Sequence, residues 1–131
     1  MLEATLKREI VRVLLKEGCF ARRLEDKYAI GTLDMLITTH RYMIYAEAKR
    51  VIGTKLLATI KQEEQINRFN AVNNPYAKAL VVGYKEGHIG FGLPGDLWNK
   101  YHACPWPTRR SLAEQFDLAI QAIFGASNET V

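Results

Sequence analysis

At 131 residues the chain has room for one domain with a substantial core and none for a second. Hydrophobic residues at 48% and charged residues at 24% exclude an extended disordered chain, and no run reaches the about 18 consecutive apolar residues of a membrane span. Eighteen Lys and Arg against fourteen acids leave a net charge of +4, which admits nucleic acid as a partner without requiring it.

The first predicted element is a helix over residues 2–17. Leu6, Ile10, Val13 and Leu14 recur there at the spacing of a buried stripe, and Gly18 ends the run. Glu3 lies on the line of the stripe, seven residues before Ile10, and can point from the first turn toward a sheet; Glu9 lies off it. An acid in the first turn also suits the helix dipole. Lys7, Arg8, Glu9 and Arg12 interrupt the apolar residues, so no signal-peptide pattern is expected. Residues 20–24 read as a strand, followed by a turn at Glu25-Asp26-Lys27. Cys19 and Cys104 are too few for a disulfide framework and lack metal-ligand spacing, which fits reduced thiols in a cytosolic setting.

Strands over 33–38 and 42–49 form a hairpin centred between His40 and Arg41. In that register Asp34 falls opposite Glu47, and Lys49, two residues on, shares the face of Glu47. His40 and Arg41 are not favoured tight-turn residues, so the loop is either longer than two residues or kept for contact. Residues 51–55, with Gly53, form a loop. A second helix is expected over 56–72, with Leu57, Ile60, Ile66 and Phe69 packing and Gln62 on the polar side, and Asn73-Asn74-Pro75 stops it. The strand over 78–84 carries Ala79-Leu80-Val81-Val82, a run suited to cover on both faces, and its helix-linked return points to a mixed sheet.

Gly87, Gly90, Gly92 and Gly95 do not form a dinucleotide fingerprint and read as a strand with turns. Trp98, Tyr101, His102 and Trp106 lack surrounding Arg and Lys, which favours packing over stacking on bases. Pro105 and Pro107 lead to a last helix capped by Thr108 or Ser111, with Leu112, Phe116, Leu118, Ile120 and Ile123 as its apolar positions; residues after Gly125 form a tail.

The chemistry concentrates on the hairpin. Directly paired positions have Cβ atoms roughly 4.5–5.5 Å apart. Two carboxylates that close repel, and each raises the pKa of the other unless a cation lies between them. Mg2+ suits carboxylate oxygens, acts as a Lewis acid on a phosphate oxygen and makes hydroxide available near neutral pH. Lys49 is placed to orient water or to offset charge on a pentacovalent phosphate. The ordinary alternative makes Asp34 and Glu47 rim charges of a hairpin and Lys49 their salt-bridge partner. Arg22, Arg23, Arg41, Arg50, Lys55 and Lys61 are candidate phosphate contacts, with Arg109 and Arg110 a further patch. Such contacts position nucleic acid without reading sequence, and no helix-turn-helix or zinc-finger pattern suggests base readout.

Asp34 on one strand and Glu47-Ala48-Lys49 on the next resemble the signature of the PD-(D/E)XK nuclease superfamily. Within it the chain is most similar to VRR-NUC domains and archaeal-type Holliday-junction resolvases. Further matches are Lys16-Glu17-Gly18 closing the first helix, Gly31 before Asp34, and a Gln-bearing helix followed by Ala79-Leu80-Val81-Val82-Gly83. The likeness spans roughly residues 1–86, and 87–131 stand outside it as a C-terminal elaboration; Leu33 occupies the family's proline position.

The resemblance implies an α/β restriction-endonuclease-like core, a central mixed β-sheet flanked by α-helices. It further implies a Mg2+- or Mn2+-dependent endodeoxyribonuclease acting on branched DNA. A nicking or flap endonuclease of VRR-NUC type and a non-catalytic nucleic-acid-binding module are the rival readings. Asp34, Glu47 and the Ala48 carbonyl become metal ligands by that resemblance, and Lys49 assists the attacking water. Glu3 (or Glu9) and Gln62 (or Gln65) complete the site, and a homodimer presents two such sites to two strands.

Overall fold

The computed structural model describes residues 1–24 and 32–125. Along these the chain runs α1 (Glu3–Lys16), β1 (Phe20–Arg23), β2 (Met35–Thr38), β3 (Met43–Arg50), α2 (Ile60–Ala71), β4 (Ala77–Lys85), β5 (His88–Gly92), β6 (His102–Pro105) and α3 (Leu112–Phe124). The expected turn at Glu25-Asp26-Lys27, Gly31 and the tail after Gly125 lie outside the described residues. The strands form one sheet in the order β1-β2-β3-β4-β5-β6. Only β3 and β4 pair in parallel, because α2 carries the chain back between them; every other pair is antiparallel. This is the mixed α/β sheet that the sequence leads one to expect.

Strand alternation sorts the side chains onto two faces. Met35, Ile37, Ile44, Ala46, Ala48, Leu80, Val82, Ile89 and Phe91 meet Leu6, Ile10 and Leu14 of α1 and Leu112, Phe116, Ala119 and Ile120 of α3 in the larger core. The smaller core lies on the opposite face, where Leu33, Val51, Leu56, Ala79 and Val81 pack with Ile66, and Tyr45, Phe69 and Trp98 lie against them. β4 is covered on both sides, as its Ala-Leu-Val-Val run demands.

Helix α2 begins later than its apolar pattern suggests, because Thr59 caps it. The Thr59 hydroxyl accepts from the Gln62 amide at 3.2 Å, and the Gln62 side chain accepts from the Thr59 N–H at 3.0 Å. Residues 56–59 therefore stay outside the helix. Leu56 is buried, but Leu57 and Ile60, expected to pack, are exposed. Ile66 and Phe69 do the packing. Near the C-terminal end the Asn70 amide donates to the Ala79 carbonyl and accepts from its N–H, at 3.0 and 2.7 Å, filling a stretch of β4 that β5 does not reach.

Glycines let two loops lie flat on the sheet. A Cβ on Gly90 would run into the Trp98 carbonyl, and one on Gly83 into Leu56 and Val51. Into that space settles a short ribbon, tied by Leu56 N–H to Asp96 O (2.8 Å), Gly95 N–H to Leu56 O (2.7 Å) and Trp98 N–H to Thr54 O (2.9 Å). At the hairpin tip the Thr39 hydroxyl accepts from the Arg41 and Tyr42 amides and donates to Asp117 at 2.7 Å, which fixes a turn that His40 and Arg41 do not favour themselves.

Ser111, not Thr108, caps α3 by accepting from the Glu114 amide. The Glu17 carboxylate reinforces it, accepting from the Ser111 hydroxyl and from the Leu112 and Ala113 amides at 2.8, 2.8 and 3.0 Å. Of the apolar positions expected for this helix, Leu118 faces out. Glu17→Ala leaves two helix N–H groups without their acceptor and is expected to lower stability by about 2 kcal/mol, with Glu17→Gln losing less; urea unfolding of the two variants checks it.

Candidate active site

The hairpin register fixes the arrangement. Met35 pairs with Ala46 and Thr38 with Met43, so Asp34, one residue before β2, stands beside Glu47 as the sequence spacing requires. Because Met35 and Ile37 point into the larger core, Asp34 takes the other face, and alternation along β3 puts Tyr45, Glu47 and Lys49 on that same face. The backbone at Asp34 is held on both sides: its carbonyl accepts from Leu24 N–H at 2.7 Å, and the Leu33 N–H donates to the Tyr45 hydroxyl at 2.9 Å.

The two carboxyl groups are unequal. Asp34 accepts from the Ala48 amide at 3.0 Å and from the Lys7 ammonium at 3.2 Å, and it shares a hydrogen bond with Glu47. Burial alone would raise the Asp34 pKa, but the hydrogen bonds from Glu47 and Ala48 and the Lys7 charge outweigh it and hold the group below its ordinary value. Glu47 is 2% exposed. Its pKa is pushed up to about 9, first by burial and then by the hydrogen bond to Asp34 and the Asp34 charge, with Lys49 and Lys7 opposing. The two shifts agree, and near neutral pH without a cation they favour a proton on Glu47 and the negative charge on Asp34.

Glu47 Oε2 is buried with no hydrogen-bond partner among the described residues. An orphaned carboxylate oxygen in a dry place costs free energy and calls for a ligand. A hard divalent cation fits: it would take up Oε2, replace the proton and accept the Asp34 oxygens as well. Among the described residues no third His, Cys, Asp or Glu joins the pair.

Glu3 comes to the neighbourhood but not to the pair. It accepts from the Arg50 amide at 3.1 Å and lines a cavity of about 290 Å3 with Lys49, Arg50, Gly53 and Lys55. Gln62 is occupied in the Thr59 capping box. Arg50 and Lys55 thus gather beside Lys49, whereas Arg41 sits before the opposite end of β3, about 20 Å along the strand from Glu47. Arg22 and Arg23 lie on the outermost strand, and Lys61 pairs with Glu64 at 3.7 Å. Sequence reasoning missed Lys7, although its position four residues after Glu3 puts both on one helix face.

No family model matches the chain, and no curated protein matches it. Among solved structures it is similar to Hjc of Archaeoglobus fulgidus, a Holliday junction resolvase from an archaeal hyperthermophile, at 20% identity and a TM-score of 0.52 over 70% of this chain and 71% of that one. At that identity the likeness is one of fold, and it agrees with a restriction-endonuclease-like sheet flanked by helices. No helix among the described residues is long and apolar enough to cross a membrane.

The proton on Glu47 sets a pH dependence. A folded-state pKa raised from 4.5 to about 9 gives stability that is complete below 4.5 and is lost as pH climbs toward about 9. Metal-free protein should therefore unfold at lower urea concentrations as pH rises through that window, Glu47→Gln should flatten the trend, and saturating Mg2+ should flatten it in the wild type by holding Glu47 ionised in the folded state. Titration calorimetry in buffers of different ionisation enthalpy should show a proton released as Mg2+ or Mn2+ binds at neutral pH.

Proposed function

We propose that the protein is a Mg2+- or Mn2+-dependent endodeoxyribonuclease that hydrolyses phosphodiester bonds in branched DNA, in the manner of a Holliday-junction resolvase. The observation that carries this reading is the buried Asp34–Glu47 carboxyl pair with its unsatisfied oxygen, with Lys49 on the same face of β3. A fold shared with a Holliday junction resolvase supports the choice of branched DNA.

Each group then has a task. Asp34 and Glu47 would hold the cation, and the Ala48 carbonyl would be a third oxygen ligand. In an extended strand a residue's N–H and C=O leave by the same edge, and the Ala48 N–H already points to Asp34. The ion supplies Lewis acidity toward a phosphate oxygen and a source of hydroxide near neutral pH. Lys49 orients the attacking water and offsets charge growing on the phosphate. Lys7 fixes the Asp34 carboxylate in the rotamer that meets Glu47. Glu3 secures the end of β3 through Arg50 and lines the cleft; Gln62, at the start of α2, would have to leave its capping box with Thr59 before it could contact the scissile group. Arg50 and Lys55 contact phosphates beside the cleft, and Arg22, Arg23, Arg41 and Lys61 extend that contact over more of the surface. A homodimer would set two clefts against two strands of one junction.

Purified protein incubated with four-way, flap, nicked and continuous duplex DNA tests this. The wild type should cut the four-way substrate with Mg2+ or Mn2+ and lose activity in EDTA. Asp34→Ala and Glu47→Ala should fall to background, and Lys49→Ala should lose about 10²–10³-fold in rate while still binding DNA. Preferred cutting of flap or nicked DNA would favour the VRR-NUC-type reading. Salt-dependent binding without cutting by the wild type would leave a non-catalytic nucleic-acid-binding module.

A further inference from the structure

The segment between β3 and α2 carries the most exposed large apolar side chain among the described residues. Ile52 is 89% exposed, and Leu57 beside it is 67% exposed. Both line the same cavity as Lys49, Arg50 and Lys55. Isolated surface isoleucines need no explanation. This one stands at the mouth of a cationic cleft, on a loop that is anything but loose. Val51 is buried and its N–H donates to Tyr84 O at 2.9 Å; the Gly53 carbonyl accepts from the Lys85 ammonium; the Thr54 carbonyl accepts from Trp98 N–H at 2.9 Å. The ribbon behind it rests on Gly83, where any Cβ would push it off the sheet.

Resting on the nuclease reading and deepening it, we propose that Ile52 is a wedge that enters the base stack where DNA is interrupted, with Leu57 behind it and Lys49, Arg50 and Lys55 holding the flanking phosphates. An aliphatic side chain can hydrogen-bond neither a base edge nor a phosphate, and apolar side chains that project from phosphate-binding surfaces enter base steps, so in a cleft that attracts phosphates the partner assigned to Ile52 is the flat face of a base. Entering a continuous duplex costs the unstacking of a full step, whereas at a branch, nick or gap that cost is already partly met. A stiff loop loses little conformational freedom when it inserts. The wedge therefore selects interrupted DNA over continuous duplex, while the carboxyl pair performs hydrolysis on whatever is bound.

The test uses the full chain and one DNA sequence in four-way, nicked and continuous forms, with 2-aminopurine beside the interruption. Binding is read by fluorescence in Ca2+, cutting is read in Mn2+, and oligomeric state is read by light scattering. Wild-type protein should raise 2-aminopurine emission on the four-way and nicked forms. Ile52→Ala should remove most of that rise and lower the ratio of interrupted to continuous cleavage about tenfold, the scale set by burying one isoleucine side chain. Val72→Ala, which removes an exposed apolar side chain at the far end of α2, should behave as wild type. An unchanged signal and ratio in Ile52→Ala overturn the wedge, as does loss of an oligomer in that variant, which would assign Ile52 to a contact between copies. A wild type that cuts nothing yet gives an Ile52-dependent fluorescence rise defeats the nuclease reading and leaves the wedge standing. No DNA-induced rise with the wild type defeats the wedge whatever is cut.

Discussion

Two carboxyl groups held side by side on one face of the sheet are the constraint on which the candidate site depends. Asp34 and Glu47 are brought together by the β2–β3 register and cannot move apart without breaking a sheet on which both cores are built. The Ala48 amide and the Lys7 ammonium donate to Asp34 and favour its ionised form. Burial and that same negative neighbour favour the neutral form of Glu47. On the proposed reading, that second negative charge would appear when a positive ion takes the place of the proton, and affinity for such an ion would then depend on pH.

The two faces of the sheet divide the work. On one, α1 and α3 close a continuous apolar core over Ala46 and Ala48, whose small side chains let α1 approach β3. On the other, α2 covers only part of the sheet, and the loops before α2 and after β5 cover the rest. Lys49 and Glu3 line a cavity with the segment between β3 and α2, so that cleft is a boundary between sheet and loop. Glycine in β4 and β5 is what makes loop cover possible, since a methyl group at Gly83 or Gly90 would lift the ribbon and reshape the wall of the cleft.

Much of this was legible in the sequence because it depends on period and sign. The hairpin sum that pairs Asp34 with Glu47 follows from strand alternation, and Met35 opposite Ala46 obeys it. The stripe of Leu6, Ile10 and Leu14 and the doubly covered Ala-Leu-Val-Val strand were equally plain. What escaped was set by competition for hydrogen bonds, which periodicity does not record. Thr59 and Gln62 satisfy each other, so α2 starts at Ile60, Leu57 and Ile60 turn outward, and the amide assigned to the cleft is engaged at the helix cap. Glu3, expected to point from the first turn toward the sheet, accepts from the Arg50 amide at the end of β3 and does not join the carboxyl pair. Lys7 went unnoticed because a lysine in an amphipathic helix looks like any solvated charge until the strand opposite it is known.

The clasp made by Glu17 has a reach beyond the cap it completes. It moors the last turn of α1 to the first turn of α3, while Glu3 moors the opposite end of α1 to the tip of β3. Between these anchorages the helix is a strut about 21 Å long, and Lys7 is a fixture on it. The ammonium that steadies Asp34 is accordingly aligned in part by residues from the far end of the chain, and the segment that looked like an appendage in the sequence serves as one of the girders on which the carboxyl pair is trued.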